Sequence, residues 1–257
     1  MTTEYSGGGD PKRSLELLWG VRDRPKRGPK PRLTAEEIVR AAIALADAEG
    51  LEALSMRRIA DELGVSPMSI YTYVPGKAEL IDVMVDRAFG ELTAASGDTW
   101  RARLEHVARD GWDLYHRHPW LLRVTLARPP MGPNTIAKYE NELRAVEGVG
   151  LTDLEMDSVV ALVTGFAESA ARASVGAAEA ERRSGISDAQ WWEAVGPALA
   201  TFVNEDDYPI GSRVGTAAGM EYNAPAAPSR AFEFGLARVL DGIEALIGSR
   251  PDGAGPS

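Results

Sequence analysis

The 257-residue sequence contains no cysteine. Disulfide bridges, thiolate zinc sites and cysteine nucleophiles are therefore excluded, and a reducing compartment is permitted. The chain also has no uninterrupted apolar run near the ~20 residues that cross a bilayer. Its start, MTTEYSGGGD, lacks the basic and apolar regions of a signal peptide. These absences predict a soluble, cytoplasmic protein with no membrane partner.

Histidine is scarce, with only His106, His116 and His118. His116 and His118 are two residues apart, so on a helix they point in different directions, whereas helical metal-binding pairs favour a spacing of four. The glycine-rich and serine-centred motifs of P-loop, dinucleotide-binding and hydrolase enzymes are also missing. We therefore predict no catalytic residue, no metal site and no cofactor, and we interpret His118, before Pro119, as a helix end.

The net charge of -10 is unevenly distributed. Residues 1–80 carry 12 Lys and Arg and 12 Asp and Glu, so the whole negative excess lies in residues 81–257. Phosphate repels an acidic region. Only the N-terminal part of the chain is therefore suited to face nucleic acid.

The sequence from Ser55 to Lys77 has the pattern of a helix-turn-helix. Ser55 is a good N-cap, and Gly64 can end the first helix in a left-handed conformation. Ser66 is the next N-cap candidate, with Pro67 at the first helical position. The apolar face of the first helix follows helical spacing, at Met56, Ile59, Ala60 and Leu63.

The second of these helices has an uncharged outer surface. Ile70 and Val74 lie four residues apart and point inward. Hydroxyls on the outer surface can bond phosphates or base edges, and apolar groups can meet thymine methyls. The alternative is that the tyrosines are half-buried packing residues. The candidate DNA-binding residues of this helix and its cap are Ser66, Pro67, Met68, Ser69, Tyr71, Thr72 and Tyr73.

This region resembles the TetR family of transcriptional regulators. The motifs that carry the resemblance are Leu63-Gly64-Val65, the central Tyr71 and Lys77-Ala78-Glu79-Leu80, and the match spans about residues 33–89. The resemblance implies that helix 67–73 enters the major groove and that Arg57 and Lys77 contact the DNA backbone. It also implies a homodimer formed by the last two long helices, and a C-terminal pocket for a small-molecule effector.

Residues 1–32 are rich in glycine, proline and charge and are predicted to form a disordered basic extension. Within them, residues 22–32 hold six basic residues, one acidic residue and three prolines. This composition fits either a solubilising tail or an arm that lies along DNA. Residues 15–19 are too apolar for a linker and predict a short docked helix.

The remaining pattern predicts an all-α fold of nine to ten helices. Residues 33–80 are assigned to a three-helix DNA-binding domain, a linker helix follows at 76–93, and residues 94–250 form a helical bundle for effector binding and dimerisation. Residues 204–229 lack a helical period and predict a long loop. Capping boxes mark three helix starts, at Thr34 with Glu37, Thr152 with Glu155 and Ser187 with Gln190.

Two long helices with apolar stripes, near 152–183 and 231–247, are what a four-helix dimer interface needs. The same helices could instead be buried within one chain. Gly235 and Gly242 would let a second helix approach closely. Because one helix-turn-helix reads only a few base pairs, two half-sites favour a homodimer on double-stranded DNA.

The C-terminal aromatic residues suggest a pocket for a small effector, because aromatic bodies with a few polar groups are typical of ligand cavities. Aromatic residues at helical spacing are also the usual make-up of a core. Arg172, with Glu168, is a charge on an alanine-rich helix and needs a partner. The candidate ligand-binding residues are Trp112, Tyr115, His116, Tyr139, Phe166, Ser169, Arg172, Trp191 and Trp192.

Together these patterns predict a TetR-like repressor that binds a palindromic operator as a homodimer and is released by a small-molecule effector. The alternative is a DNA-binding protein without an effector, whose C-terminal domain serves only dimerisation or a protein partner.

Overall fold

The computed structural model describes residues 4–20 and 33–249, so the basic residues 22–32 lie outside the described ranges. Within these ranges the protein has eleven α-helices, two short 3₁₀ turns and two strands of two residues each, which confirms the all-α class. The helices are α1 Pro11–Leu18, α2 Ala35–Glu49, α3 Met56–Glu62, α4 Pro67–Tyr73, α5 Lys77–Phe89, α6 Trp100–Arg117, α7 Pro133–Arg144, α8 Asp153–Ser184, α9 Asp188–Phe202, α10 Pro209–Tyr222 and α11 Pro228–Gly248. The strands are β1 Glu4–Tyr5 and β2 Val124–Thr125, and the 3₁₀ turns are Leu51–Ala53 and Pro119–Arg123.

Side-chain caps begin the helices that the sequence predicted. The hydroxyl of Thr34 accepts from the backbone N–H of Glu37 at 3.1 Å, and the Glu37 carboxylate accepts from the backbone N–H of Thr34 at 2.8 Å. The same reciprocal box opens α8 at Thr152 and α9 at Ser187. Each box satisfies N–H groups that a helix start leaves unpaired, which is why the local sequence locates these helices.

The loop expected over residues 204–229 is wrong, because α10 occupies much of it. A proline stands at the first position of α10, and Asn223 ends the helix at φ 46°. Ile210 and Met220 of this helix are exposed. Because its apolar residues lie in solvent and not on one buried face, α10 lacks the apolar stripe at helical spacing from which the other helices were predicted.

The disorder predicted for residues 1–32 is also wrong over residues 4–20. β1 pairs in parallel with β2, with Glu4 opposite Val124. Asp10 then caps α1 by accepting a backbone N–H at 2.9 Å. The order has a tertiary cause, since polar side chains of α5 hold this segment, and composition does not reveal them. The docked helix predicted around residues 15–19 is α1.

Two apolar clusters hold the helices together. The first cluster contains residues of α2, α3, α4 and α5, of the end of α6 and of the Pro119–Arg123 turn. The second contains residues of α6, α8 and α11. Helix α6 belongs to both, through Leu114 in the first cluster and Leu104 in the second. The N-terminal helices therefore rest directly on the C-terminal ones.

Four C-terminal helices keep apolar residues on their outer surfaces. Helix α9 has no buried residue at all. Contiguous exposed apolar surface is typical of interaction sites. The exposed apolar residues include Leu154 and Leu162 on α8, Phe202 on α9, Ile210 and Met220 on α10, and Phe234 on α11.

Candidate DNA-binding surface and ligand cavity

The turn between α3 and α4 fixes the orientation of α4 relative to α3. Ser55 caps α3 by accepting from the backbone N–H of Arg58 at 3.2 Å, and Gly64 follows with φ +64°. The backbone N–H of Val65 donates to the carbonyl of Ala60 at 3.0 Å, the bond of a glycine-terminated helix end. The predicted helix-turn-helix geometry is therefore present.

Helix α4 also starts where the sequence predicted. The hydroxyl of Ser66 accepts from the backbone N–H of Ser69 at 3.3 Å, and Pro67 takes the first helical position. Ile70 and Val74 are fully buried. They fix one side of α4 on the core and leave the opposite side outward.

The outer side of α4 carries Met68 and Tyr71, which are 73% and 45% exposed. Thr72 is exposed as well, and its hydroxyl donates to the carbonyl of Met68 at 3.2 Å. Tyr73, predicted to point outward, is half-buried against the first apolar cluster, as the alternative interpretation had it. The surface that remains is uncharged and combines hydroxyls with apolar groups, which suits base edges and thymine methyls.

Arg57 and Lys77 are the two cations predicted to contact phosphate. Arg57 lies on the first turn of α3 and is exposed. Lys77, the first residue of α5, forms an ion pair with Glu4, its Nζ 2.8 Å from a carboxylate oxygen. One of the two predicted phosphate contacts is therefore engaged within the chain.

Helix α5 carries three buried acids at helical spacing, Glu79, Asp82 and Asp86, none of which was predicted as a site residue. Asp82 accepts from the hydroxyls of Ser6 and Ser14 at 2.8 and 2.9 Å. An acid at every third or fourth position among apolar residues is the sequence signal that could have found them, since buried charges need partners.

Asp86 binds the start of α7. Its carboxylate accepts from the backbone N–H and the hydroxyl of Thr135 at 2.8 and 2.9 Å, and from the side-chain amide of Asn134 at 3.0 Å. A carboxylate at a helix N-terminus is favoured by the helix dipole. Helix α5 is therefore tied near its start to the N-terminal segment and near its end to α7.

His118 joins α2 to the end of α5. It ends α6 as predicted, but its buried ring lies between two carboxylates. Its Nδ1 is 2.7 Å from Asp47 and its Nε2 is 3.0 Å from Glu91. The indole N–H of Trp120 also donates to Asp47, at 2.8 Å. These hydrogen bonds link α2, the residues after α5 and the end of α6. Like the contacts of Asp82, they could not be predicted from residue spacing.

A small cavity of about 30 Å³ lies where α5, α6, α7 and α8 meet. This volume is enough for ordered water but is far smaller than a typical small-molecule site. The apolar wall comprises Phe89, Leu92, Val107, Leu114 and Ala167. The polar wall comprises Thr93, Asp110, Tyr115, Lys138, Asn141, Glu142 and Thr164.

Two ionisable side chains in this wall have raised pKa values. Burial raises the pKa of Glu142, although the ammonium of Lys138, 2.6 Å away, opposes the shift. Burial, reinforced by the charge of Glu168, raises the pKa of the Tyr115 phenol well above its usual range. A wall that combines apolar side chains with a few hydrogen-bonding groups is typical of a site for a partly apolar ligand.

Tyr115 is the one predicted ligand residue that lines this cavity. Trp112 and Phe166 instead stack on Phe232, with ring centroids 4.2 and 6.0 Å from it. These two rings belong to the second apolar cluster. Their packing agrees with the core interpretation of the aromatic residues.

The other predicted ligand residues lie away from the cavity. Tyr139 donates its hydroxyl to Asp157 at 2.7 Å. Arg172 donates to Glu168 at 2.7 Å and to the carbonyl of Leu122, and it borders an open groove of about 1080 Å³ between α2, residues 119–126 and α8. The remaining ones are the exposed His116, which contacts Ser174, the exposed Ser169, and Trp191, which stacks beside Trp192 on α9.

Comparison with known proteins decides the family. Residues 38–84 match the family model for bacterial regulatory proteins of the tetR family, and residues 93–247 match that for tetracyclin repressor-like C-terminal domains. The chain is 45% identical to the HTH-type transcriptional repressor DrrR1 of Streptomyces coeruleorubidus, over 99% of this chain and 93% of that protein. The chain belongs to the TetR family.

Solved structures of ActR, a TetR family protein of Streptomyces coelicolor, are similar to this TetR-family chain. Its complex with actinorhodin has a TM-score of 0.70 and 26% identity, over 85% of this chain and 98% of that one. Tetracycline repressor protein class C of Escherichia coli is 24% identical, over 84% of this chain and 92% of that protein. These relatives are regulators rather than enzymes, and this TetR-family regulator carries its DNA-binding helix-turn-helix in α3 and α4.

Within residues 4–20 and 33–249, this TetR-family chain has no helix with the length and apolarity that crossing a membrane requires.

Proposed function

We propose that this regulator is a repressor that binds a palindromic operator as a homodimer, with α4 of each copy in a major groove. The observation that carries the proposal is the outer side of α4, where Met68 and Tyr71 are exposed on a helix that Ser66 caps. An uncharged surface of this kind can read base edges, while Arg57 and Lys77 neutralise phosphates. The name of the DrrR1 relative, a repressor, supports the sign of regulation.

The second copy is proposed to pack on the outer faces of α8 and α11. Leu154 and Leu162 on α8 and Phe234 on α11 are exposed in the single chain. The inner faces of the same helices pack together in the second apolar cluster. The inner faces match the alternative of burial within one chain, and the outer faces are the ones proposed for the dimer. A twofold dimer presents two recognition helices to half-sites roughly one DNA turn apart.

A small-molecule effector is proposed to bind in the cavity between α5 and α8. The cavity touches Phe89 and Leu92 at the end of the helix that begins at Lys77, so a displacement there reaches the DNA-binding end along α5. The ActR complex with actinorhodin supports an effector of this general kind.

Effector binding requires the cavity to grow. Its volume of about 30 Å³ is far below the roughly 300–1,000 Å³ of a typical ligand site. Helices α5 to α8 must therefore separate, and that separation favours a state in which the two α4 helices no longer match successive major grooves. The shift is limited by the difference in effector affinity between the two states.

The small cavity also supports a second candidate function. A regulator without an effector would need no larger space, and its C-terminal helices would serve only dimerisation or a protein partner. The two candidates differ in whether any small molecule releases the protein from DNA.

The experiment is release of a labelled operator duplex by small aromatic compounds, with actinorhodin as the first probe. We expect release together with a higher melting temperature of the free protein. Tyr115→Phe is expected to raise the half-releasing concentration about two- to tenfold, because one hydrogen bond is lost. Tyr208→Phe, in an exposed loop before α10, is the matched control and should release like the wild type. No release and no thermal shift across the compound set would favour the second candidate.

A further inference from the structure

Residues 4–19, from β1 through α1, form an N-terminal strap across the start of α5. At one end the backbone N–H of Ser6 donates to the carbonyl of Thr125 at 3.2 Å, which extends the pairing of β1 with β2. At the other end the indole N–H of Trp19 donates to the carbonyl of Met131 at 2.9 Å. The N-terminal strap therefore touches both α5 and the segment that follows α6.

Buried acids of α5 hold the N-terminal strap in place. Asp82 accepts from the hydroxyls of Ser6 and Ser14 and from the backbone N–H of Gly7, at 2.8, 2.9 and 2.9 Å. Glu79 packs against the strap backbone and accepts a backbone N–H from it at 3.2 Å. Hydrogen bonds to carboxylates are stronger than neutral ones, so the docked position is well defined.

This docking places Glu4 against Lys77. The ammonium of Lys77 lies 2.8 Å from the Glu4 carboxylate, and each side chain keeps about a third of its surface exposed. The exposed part of Lys77 is what a DNA phosphate would have to reach. A phosphate and the Glu4 carboxylate cannot both pair closely with one ammonium without bringing two negative charges together.

We propose that the N-terminal strap is an intramolecular competitor of DNA, in which Glu4 occupies Lys77 in the free protein and lowers its affinity for DNA. The inference rests on the proposed function, in which Lys77 contacts phosphate. Its chemical basis is exchange of one anionic partner for another at a single lysine. Because β1 is held by β2, the competition depends on the segment after α6 and not on the helix-turn-helix alone.

The test uses the full-length protein and a duplex selected from a random pool by the wild type. Glu4→Gln frees Lys77 while keeping the size of the side chain. We expect about two- to fivefold tighter binding, since exposed ion pairs of this kind are weak. The slope of log affinity against log salt should also steepen by up to about 0.9. In the variant, Lys77 has no Glu4 carboxylate to leave, so its pairing with a DNA phosphate releases a counterion.

Two further variants assign the effect to this contact. In a Lys77→Gln background, adding Glu4→Gln should change neither affinity nor salt slope, because the competed site is gone. Glu140→Gln removes the same charge from α7, where Glu140 pairs with Arg144, and should bind DNA like the wild type. The double variant Ser6→Ala with Ser14→Ala removes two anchors on Asp82 and is expected to tighten binding in the same direction as Glu4→Gln.

The outcomes separate the two proposals. Wild-type affinity for Glu4→Gln, or an equal gain in the Lys77→Gln background, contradicts the strap as a competitor while leaving the DNA-binding proposal in place. Failure of the wild type to select any duplex contradicts the proposed function, and the inference about Glu4 fails with it. Circular dichroism of each variant shows that a change in affinity does not come from unfolding.

Discussion

The ring of Phe166 on α8 occupies the space that a β-carbon at Gly235 on α11 would need. Gly235 was one of two glycines predicted to admit a second helix, and the helix it admits belongs to the same chain. The other, Gly242, has open space on its outer side. The close approach at Gly235 is part of the second apolar cluster, where Phe166 also stacks on Phe232.

Gly235→Ala should destabilise the protein. The added methyl meets the partly buried Phe166 ring at the edge of the second apolar cluster, and overpacking of this kind costs about 1–3 kcal/mol in the free energy of unfolding. Gly176→Ala is the control, since this glycine lies in α8 with open space around it and should gain roughly 0.5–1 kcal/mol from helix propensity. Urea denaturation midpoints compare the two, and a Gly235→Ala protein as stable as the wild type would refute the packing described here.

Leu162→Asp should weaken the proposed dimer. Leu162 is 52% exposed on the outer face of α8, so the charge is tolerated in a folded monomer but is desolvated at an interface. Ile136→Asp, at a similarly exposed position on α7, is the control. Sedimentation velocity at micromolar concentration should show monomers for the first variant and dimers for the second. Dimers for both would place the interface elsewhere.

Arg57→Ala and Tyr71→Ala should affect DNA binding in different ways. Loss of the exposed Arg57 removes a phosphate contact, so every sequence should bind more weakly and the salt slope should fall by about 0.9. Loss of Tyr71 from the outer side of α4 should change the preference among sequences and leave the salt slope alone. Binding isotherms on consensus and mismatched duplexes at several salt concentrations distinguish the two. Identical effects on all duplexes would contradict this division of roles.

Glu142→Gln should change the pH dependence of stability. Because burial raises the pKa of Glu142 in the folded state, its protonated form favours folding. That contribution is lost as pH rises from the ordinary carboxyl value of 4.5 through the raised folded value. The neutral glutamine escapes this loss, so the stability of the variant relative to the wild type should increase with pH over that interval. Urea denaturation across the interval measures the effect, and Glu147→Gln, which removes an exposed carboxylate, is the matched control.

The helix-turn-helix could be predicted from the sequence because its determinants are local. The caps at Ser55 and Ser66 and the turn at Gly64 act over three or four residues, and all three are present. Tyr73 is the exception, since its half-buried position depends on packing against other helices. The DNA-contacting roles of Arg57 and the α4 residues stay predictions.

The contacts that hold the N-terminal strap, and the cavity, could not be predicted because the residues that form them are remote in sequence. Ser6 and Asp82 are 76 residues apart, and neither residue type signals the other. The cavity wall comes from four helices, of which aromatic content alone identified only Tyr115. Trp112 and Phe166 have the same composition signal but pack in the core. Composition identifies candidate residues, whereas their positions depend on how the helices cross.

Two copies of α4 are proposed to read a twofold-symmetric DNA site. The most direct measurement is selection of duplexes from a random pool by the wild-type protein at near-physiological salt, followed by sequencing of the bound fraction. We expect a palindromic consensus with half-sites roughly one helical turn apart, and loss of that consensus for Tyr71→Ala. Enrichment without any consensus, or no enrichment at all, would contradict it.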